Sequence, residues 1–145
     1  MNNAQEVIQN DLEYIVANLQ EEFHRMAGKK LLITGGAGFL GYYLVQSVNF
    51  WNKKTEPRQE IQLTVYDNYM RGIPGWLTQL ARDENLSIVK YDVTQPLPSG
   101  MGDFQYIIHA AGIASPIYYR LHPIETMDAN IMGLRNLLDY SASQK

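Results

Sequence analysis

The sequence predicts an α/β fold, the N-terminal half of a doubly wound parallel sheet with strand order 3-2-1-4, preceded by an amphipathic helix. Three observations predict it. Short apolar runs alternate with helical periodicity from residue 30 onwards. A glycine-rich turn, Thr34-Gly35-Gly36-Ala37-Gly38-Phe39-Leu40-Gly41, joins the first of those runs to the helix that follows it. An acid, Asp67, closes the second run. Alternation of this kind calls for parallel strands linked by right-handed crossovers.

Residues 4–27 read as one helix, because Ile8, Leu12, Ile15, Val16, Leu19, Phe23 and Met26 recur at three- and four-residue steps and share a face. Asn3 with Glu6 suits its start, and Gly28 its stop. Leu31–Thr34 form a strand buried on both faces. Leu40 to about Asn52 form a helix with Leu44, Val45, Val48 and Trp51 inward, and Asn52–Gln59 form a polar loop. Ile61, Leu63 and Val65 alternate as a second strand ending at Tyr66 and Asp67. Pro74 opens a short helix bearing Trp76, Leu77 and Leu80. Leu86, Ile88 and Val89 make a third strand that ends at Asp92, and Tyr106–Ala110 make a fourth. A loop at Gly112–His122 leads into a helix over 123–141, with Ile124, Ile131, Leu134, Leu137 and Leu138 inward.

Composition narrows the function classes. The chain has 145 residues, 46% of them hydrophobic and 19% charged, which suits a single domain with a real core. Its formal charge of −3 gives no basic footprint for nucleic acid. It has no cysteine, which excludes disulfides, thiolate nucleophiles and sulfur-ligated zinc. The three histidines, His24, His109 and His122, show no metal-ligand spacing, so no metal is expected. No apolar run approaches the ~20 residues of a membrane span, and the N-terminus lacks the pattern of a secretory signal. The expectation is a cytoplasmic protein without a membrane partner. Residues 1–28 carry five acids and one base, and this acidic segment is expected to stand apart from residues 29–145.

Gly35, Gly38 and Gly41 are spaced G-x-x-G-x-x-G between a strand and a helix. Gly35 permits the tight turn, Gly38 leaves room for a pyrophosphate, and Gly41 lets the helix pack closely. Free N–H groups at the helix start then face the phosphates. Asp67, at the end of the second strand, is placed to accept from the adenosine ribose hydroxyls. A carboxylate there favours NAD over NADP, and Arg71 nearby softens that preference. Asp92-Val93 borders the expected adenine pocket. The small residues Ala110, Ala111 and Gly112 allow the backbone to approach the cofactor.

Together these residues resemble the extended short-chain dehydrogenase/reductase family, and within it the NAD-dependent epimerases, dehydratases and decarboxylases of nucleotide sugars. The likeness covers about residues 29–140 and rests on Thr34–Gly41, Asp67-Asn68, Gly72, Asp92-Val93, His109–Gly112, Asn130, Gly133 and Leu137-Leu138. It implies a Rossmann-type domain over 29–145, incomplete at its C-terminal end, with Gly38, Phe39, Leu40, Asp67, Asn68, Asp92 and Val93 lining the NAD site. It also implies a nucleotide-sugar substrate, isomerase or lyase chemistry and a homodimer, with Asn130 as a structural support. Ala114-Ser115-Pro116, Tyr119 and Pro123-Ile124 look most like UDP-glucuronate decarboxylases, whose Ser-Pro loop lies near the sugar. That likeness makes Ser115, Pro116 and Tyr119 candidate substrate contacts. The decarboxylases usually carry Lys-Thr before the helix asparagine, and this chain has Asp128-Ala129. A neutral-sugar epimerase or a 4,6-dehydratase therefore stays open.

In this family a tyrosine and a lysine four residues apart do the proton chemistry. None of the 10 tyrosines here has lysine at that distance. The chain is therefore expected to be the N-terminal, truncated part of an enzyme, with no catalytic residue of its own and no turnover alone. The competing reading is a non-catalytic dinucleotide sensor or interaction module.

Overall fold

The computed structural model describes residues 3–144. Its four strands are β1 (Lys30–Thr34), β2 (Gln62–Asp67), β3 (Leu86–Lys90) and β4 (Tyr106–His109). They form one parallel sheet in the predicted order β3-β2-β1-β4. The most apolar run takes the interior position. Leu31, Leu32, Ile33 and Thr34 are all fully buried between β2 and β4. Each such aliphatic side chain contributes about 1.5–3 kcal/mol on leaving water.

One face of the sheet is covered by α1 (Asn3–Asn18), α2 (Gln20–Met26), α3 (Phe39–Asn52) and α4 (Gly75–Leu80). Its core is Leu31, Ile33, Val45, Val48, Trp51, Ile61, Leu63, Val65, Leu77 and Phe23. Phe23 brings the acidic N-terminal segment into that core, stacking on Trp51 at 5.2 Å between ring centroids. Tyr43 in α3 donates a 2.7 Å hydrogen bond to Asp11 in α1. The single helix expected over 4–27 is two helices that bend at Leu19 (φ −114°, ψ 28°). The bend leaves Leu19 exposed, while Leu12 and Phe23 are buried. Asn3, expected as the cap, is already the first residue of α1.

Asn52, read as the junction of helix and polar loop, is the buried last residue of α3. Its amide donates to the Ile61 carbonyl and accepts from the Ile61 N–H, each at 2.9 Å. That pair satisfies both backbone groups of a residue in the core and sets where β2 begins. β3 stops at Lys90, two residues short of the expected end, although the Tyr91 N–H still donates to the Asp67 carbonyl.

The opposite face carries α6 (Pro123–Ser143), whose Leu137 packs with Leu32 and Tyr66, and α5 (Pro116–Leu121) lies against α6. α5 lies where a loop was expected. Its six residues are too few to show a period, and Pro116 at its first turn was the only signal. α6 presents a different face from the one expected. Leu137 is buried, but Ile124, Ile131, Leu134 and Leu138 are exposed. Gly133 decides the docking: a Cβ there would come within 2.7 Å of Val93. Asn136 adds hydrogen bonds to the carbonyls of Val93 and Gln95 at 2.9 and 3.0 Å. α6 is apolar on more than one side, and periodicity alone could not choose between them. No helix among the described residues is long and apolar enough to cross a membrane.

Candidate functional site

The turn after β1 lies at the C-terminal edge of the sheet, where open α/β sheets bind ligands. Gly35 has φ +73°, and its N–H donates to the Tyr66 carbonyl at 2.7 Å. A Cβ there would lie 2.5 Å from the backbone of Ala110 and Ala111. The small residues after β4 thus press directly on the glycine turn. Gly38 precedes α3 in extended conformation, and its N–H donates to the Gly35 carbonyl at 3.1 Å. A Cβ on Gly41 would lie 2.5 Å from the backbone of Gly35 and Gly36, so this glycine seats the helix on the turn itself. Phe39 and Leu40 open α3 and are exposed.

Asp67 stands beside this turn at the end of β2. Its Oδ2 accepts from the Ala37 N–H at 3.0 Å, and its Oδ1 accepts from the Tyr69 N–H at 2.8 Å. The carboxylate therefore ties two loops together. Its remaining lone pairs are free to accept further donors, because a carboxylate offers about four acceptor positions. Asn68 Oδ1 accepts from the Met70 N–H at 3.0 Å. Asn68 and Asp92 line one cleft of about 500 Å³ together with Met70, Lys90, Tyr91 and Gln95. Asp92 Oδ1 holds its own turn through the N–H and hydroxyl of Thr94, at 3.0 and 2.8 Å. Val93 is buried against the Gly133 position and does not line that cleft.

The candidate substrate residues sit on the next arm. Ser115 precedes α5, Pro116 is its first residue, and Tyr119 is partly exposed on it. Asn130 donates to the Thr126 carbonyl at 2.7 Å and lies beside Gly112. Arg71 does not stand alone: its guanidinium lies 5.6 Å from the Tyr118 ring centroid. Among the described residues no group of three His, Asp or Glu could hold a metal ion.

Residues 31–145 match the NAD dependent epimerase/dehydratase family. The chain belongs to that family. It is 35% identical over 109 residues to UDP-glucuronic acid decarboxylase 6 of Arabidopsis thaliana, covering 75% of this chain and 29% of that protein. UDP-glucuronic acid decarboxylase 1 of Xenopus tropicalis is 27% identical, over 94% of this chain and 34% of that protein. The chain thus spans about a third of the length of these relatives. Among solved structures, a dTDP-glucose 4,6-dehydratase from Streptomyces venezuelae with NAD bound shares the fold. Its TM-score is 0.66 at 21% identity, over 79% of this chain and 36% of that one.

Several features of this chain were not legible in its sequence. Gly36 received no role, yet a Cβ there would meet Val65 at 2.5 Å. Lys90, Tyr91 and Gln95 join the cleft only because β3 lies beside β2. Thr34 and His109, 75 residues apart, are paired across β1 and β4, with Oγ1 and Nδ1 2.7 Å apart. Burial holds the His109 imidazole below its ordinary pKa, opposed by the Ala129 backbone.

This lowered pKa has a stability consequence. The unfolded chain takes up a proton on this residue at higher pH than the folded chain does. Stability is therefore lost as pH falls below the ordinary histidine value of about 6.5 and towards the folded pKa. His109→Asn is expected to flatten the melting temperature between about pH 7 and pH 5.5. Equal acid sensitivity in parent and variant would assign the effect to other groups.

Proposed function

We propose that this chain is the NAD-binding part of a longer nucleotide-sugar epimerase, dehydratase or decarboxylase that oxidises its sugar at C4. The observation that carries the reading is the glycine turn seated on Ala110 and Ala111, with the Asp67 carboxylate beside it. The residues fit the cofactor. Three close backbone approaches keep the turn free of side chains, and α3 begins there. Gly35, Gly38, Phe39, Leu40 and Gly41 would face the pyrophosphate, and Asp67, Asn68 and Arg71 the adenosine ribose. Asp92 and Val93 would border the adenine, with Ala110, Ala111 and Gly112 towards the nicotinamide end. When bound, NAD accepts and returns a hydride. The chain's own part is to bind and orient it, since the Tyr-x-x-x-Lys pair does not occur in these 145 residues.

Relatives named as UDP-glucuronic acid decarboxylases support a nucleotide-sugar substrate, with Ser115, Pro116 and Tyr119 on the sugar side. Asp128 favours a neutral sugar over a glucuronate, because it would repel the carboxylate. The exposed apolar stripe of α6 supports pairing with a second copy. The alternative, a non-catalytic dinucleotide sensor, shares the cofactor site but requires no sugar.

The test has two steps. NADH titrated into the 145-residue chain is expected to gain fluorescence and saturate, and no change would overturn the site. Nucleotide sugars are then given to the longest polypeptide that contains the chain. Conversion supports the enzyme, and cofactor binding without conversion supports the sensor.

A further inference from the structure

Two arms of the chain leave the sheet on either side of the glycine turn. The first leaves β2 at Asp67, whose carboxylate is bonded to the Ala37 N–H of the turn, and reaches Arg71 four residues later. The second leaves β4 at Ala110, whose carbonyl lies against Gly35, and reaches Tyr118 within α5. The arms meet where the Arg71 guanidinium lies over the Tyr118 ring, at 5.6 Å. Turn, arm, contact and arm thus form a closed circuit that begins and ends at the glycine turn.

We propose that Arg71 and Tyr118 form a clasp between the two arms, in which Tyr118 is a positioning residue that holds the Arg71 guanidinium towards a bound dinucleotide. The inference rests on the dinucleotide reading of the site. Both side chains are exposed, and neither belongs to the core, so the contact is not needed to hold the fold. Gly72, next to Arg71, has φ +83° and open space around it, which leaves the first arm sterically unencumbered at that point. A guanidinium stacked on a ring keeps its edge N–H groups available, and these suit a phosphate-bearing ligand. The contact takes the chemistry of a cation on an aromatic face, so a phenylalanine at 118 would preserve it.

A double-mutant cycle on the whole chain tests the clasp, with NADH fluorescence for affinity and thermal melting for stability. Tyr118→Ala is expected to raise the NADH Kd about two- to fivefold, the range of an exposed cation–π contact, and Arg71→Ala at least as much. The double variant should be no weaker than the weaker single variant. Tyr118→Phe should bind like the parent, and all four variants should melt with it. Multiplying effects in the double variant would overturn the clasp, as would unchanged affinity in the singles or a Tyr118→Phe as weak as Tyr118→Ala. A parent chain that leaves NADH unbound removes the dinucleotide site and the clasp together. A parent that binds NADH through Asp67 while the cycle multiplies removes the clasp alone.

Discussion

Gly35→Ala is expected to destabilise the chain by about 2–5 kcal/mol and to abolish dinucleotide binding. Two independent costs meet at this position. The backbone sits at φ +73°, where an L side chain costs about 1–2 kcal/mol. The added methyl would lie 2.5 Å from backbone atoms of Ala110 and Ala111, which cannot rotate away as a side chain could. Such overpacking costs about 1–3 kcal/mol. Relief requires β1 and the segment after β4 to separate, and that movement opens the same edge on which the phosphates would sit. Against a total stability of about 5–15 kcal/mol, this loss is expected to lower the melting temperature by roughly 10 °C. Gly72 and Gly75 separate the two costs. Gly72→Ala meets the backbone strain alone, since nothing lies within 4 Å, and Gly75→Ala meets neither. The expected order of stability is Gly75→Ala, then Gly72→Ala, then Gly35→Ala. A Gly35→Ala chain as stable as Gly72→Ala would show that the turn is not packed on Ala110 and Ala111 as described.

The same glycine shows what the sequence could reveal. Its spacing with Gly38 and Gly41, between an apolar run and a helix, was enough to place a turn at the sheet edge. The four strands and their order were legible for a similar reason. Buried parallel strands are short, apolar and separated by helices, and chirality leaves few ways to arrange them. The partner of Gly35 was not legible as a contact, because Ala110 and Ala111 lie about 75 residues on and no local pattern encodes that distance. Thr34 and His109 were hidden in the same way. Asn52 shows a different limit: a polar residue at a helix end reads as solvated, and only the position of Ile61 makes it a buried clamp. For α6, Ile124, Ile131, Leu134, Leu137 and Leu138 carried equal apolar weight, and the absence of a side chain at Gly133 chose the face. The turn at Gly35 and the end of β2 at Asp67 could be placed in advance because both follow from local pattern. Tyr118 could not, because its contact with Arg71 exists only when two distant arms converge.

Asp67→Ala is expected to weaken NADH binding by at least about tenfold and to cost roughly 1–3 kcal/mol of stability, by separate routes. The stability loss follows from two backbone donors, Ala37 N–H and Tyr69 N–H, that lose a charged acceptor at 3.0 and 2.8 Å. Both lie at a half-buried edge where water can partly replace the carboxylate, which keeps the loss below that of a fully buried pair. The binding loss follows from the lone pairs left for ribose hydroxyls. Because a merely structural Asp67 would also weaken binding by loosening the turn, affinity for NADH alone does not separate the roles. Discrimination does. A carboxylate facing the ribose repels a 2′-phosphate, whereas one that only ties loops together treats NADH and NADPH alike. The ratio of NADPH Kd to NADH Kd is therefore expected to fall by about tenfold in Asp67→Ala, whatever happens to the melting temperature. Asp67→Asn sharpens the comparison. Its single oxygen can serve one of the two N–H groups, and its amide removes the negative charge, so discrimination should fall while part of the stability is kept. An unchanged NADPH to NADH ratio in both variants, at lower affinity for each, would leave Asp67 as a brace for the glycine turn. The choice between the two dinucleotides would then rest on other residues of the cleft.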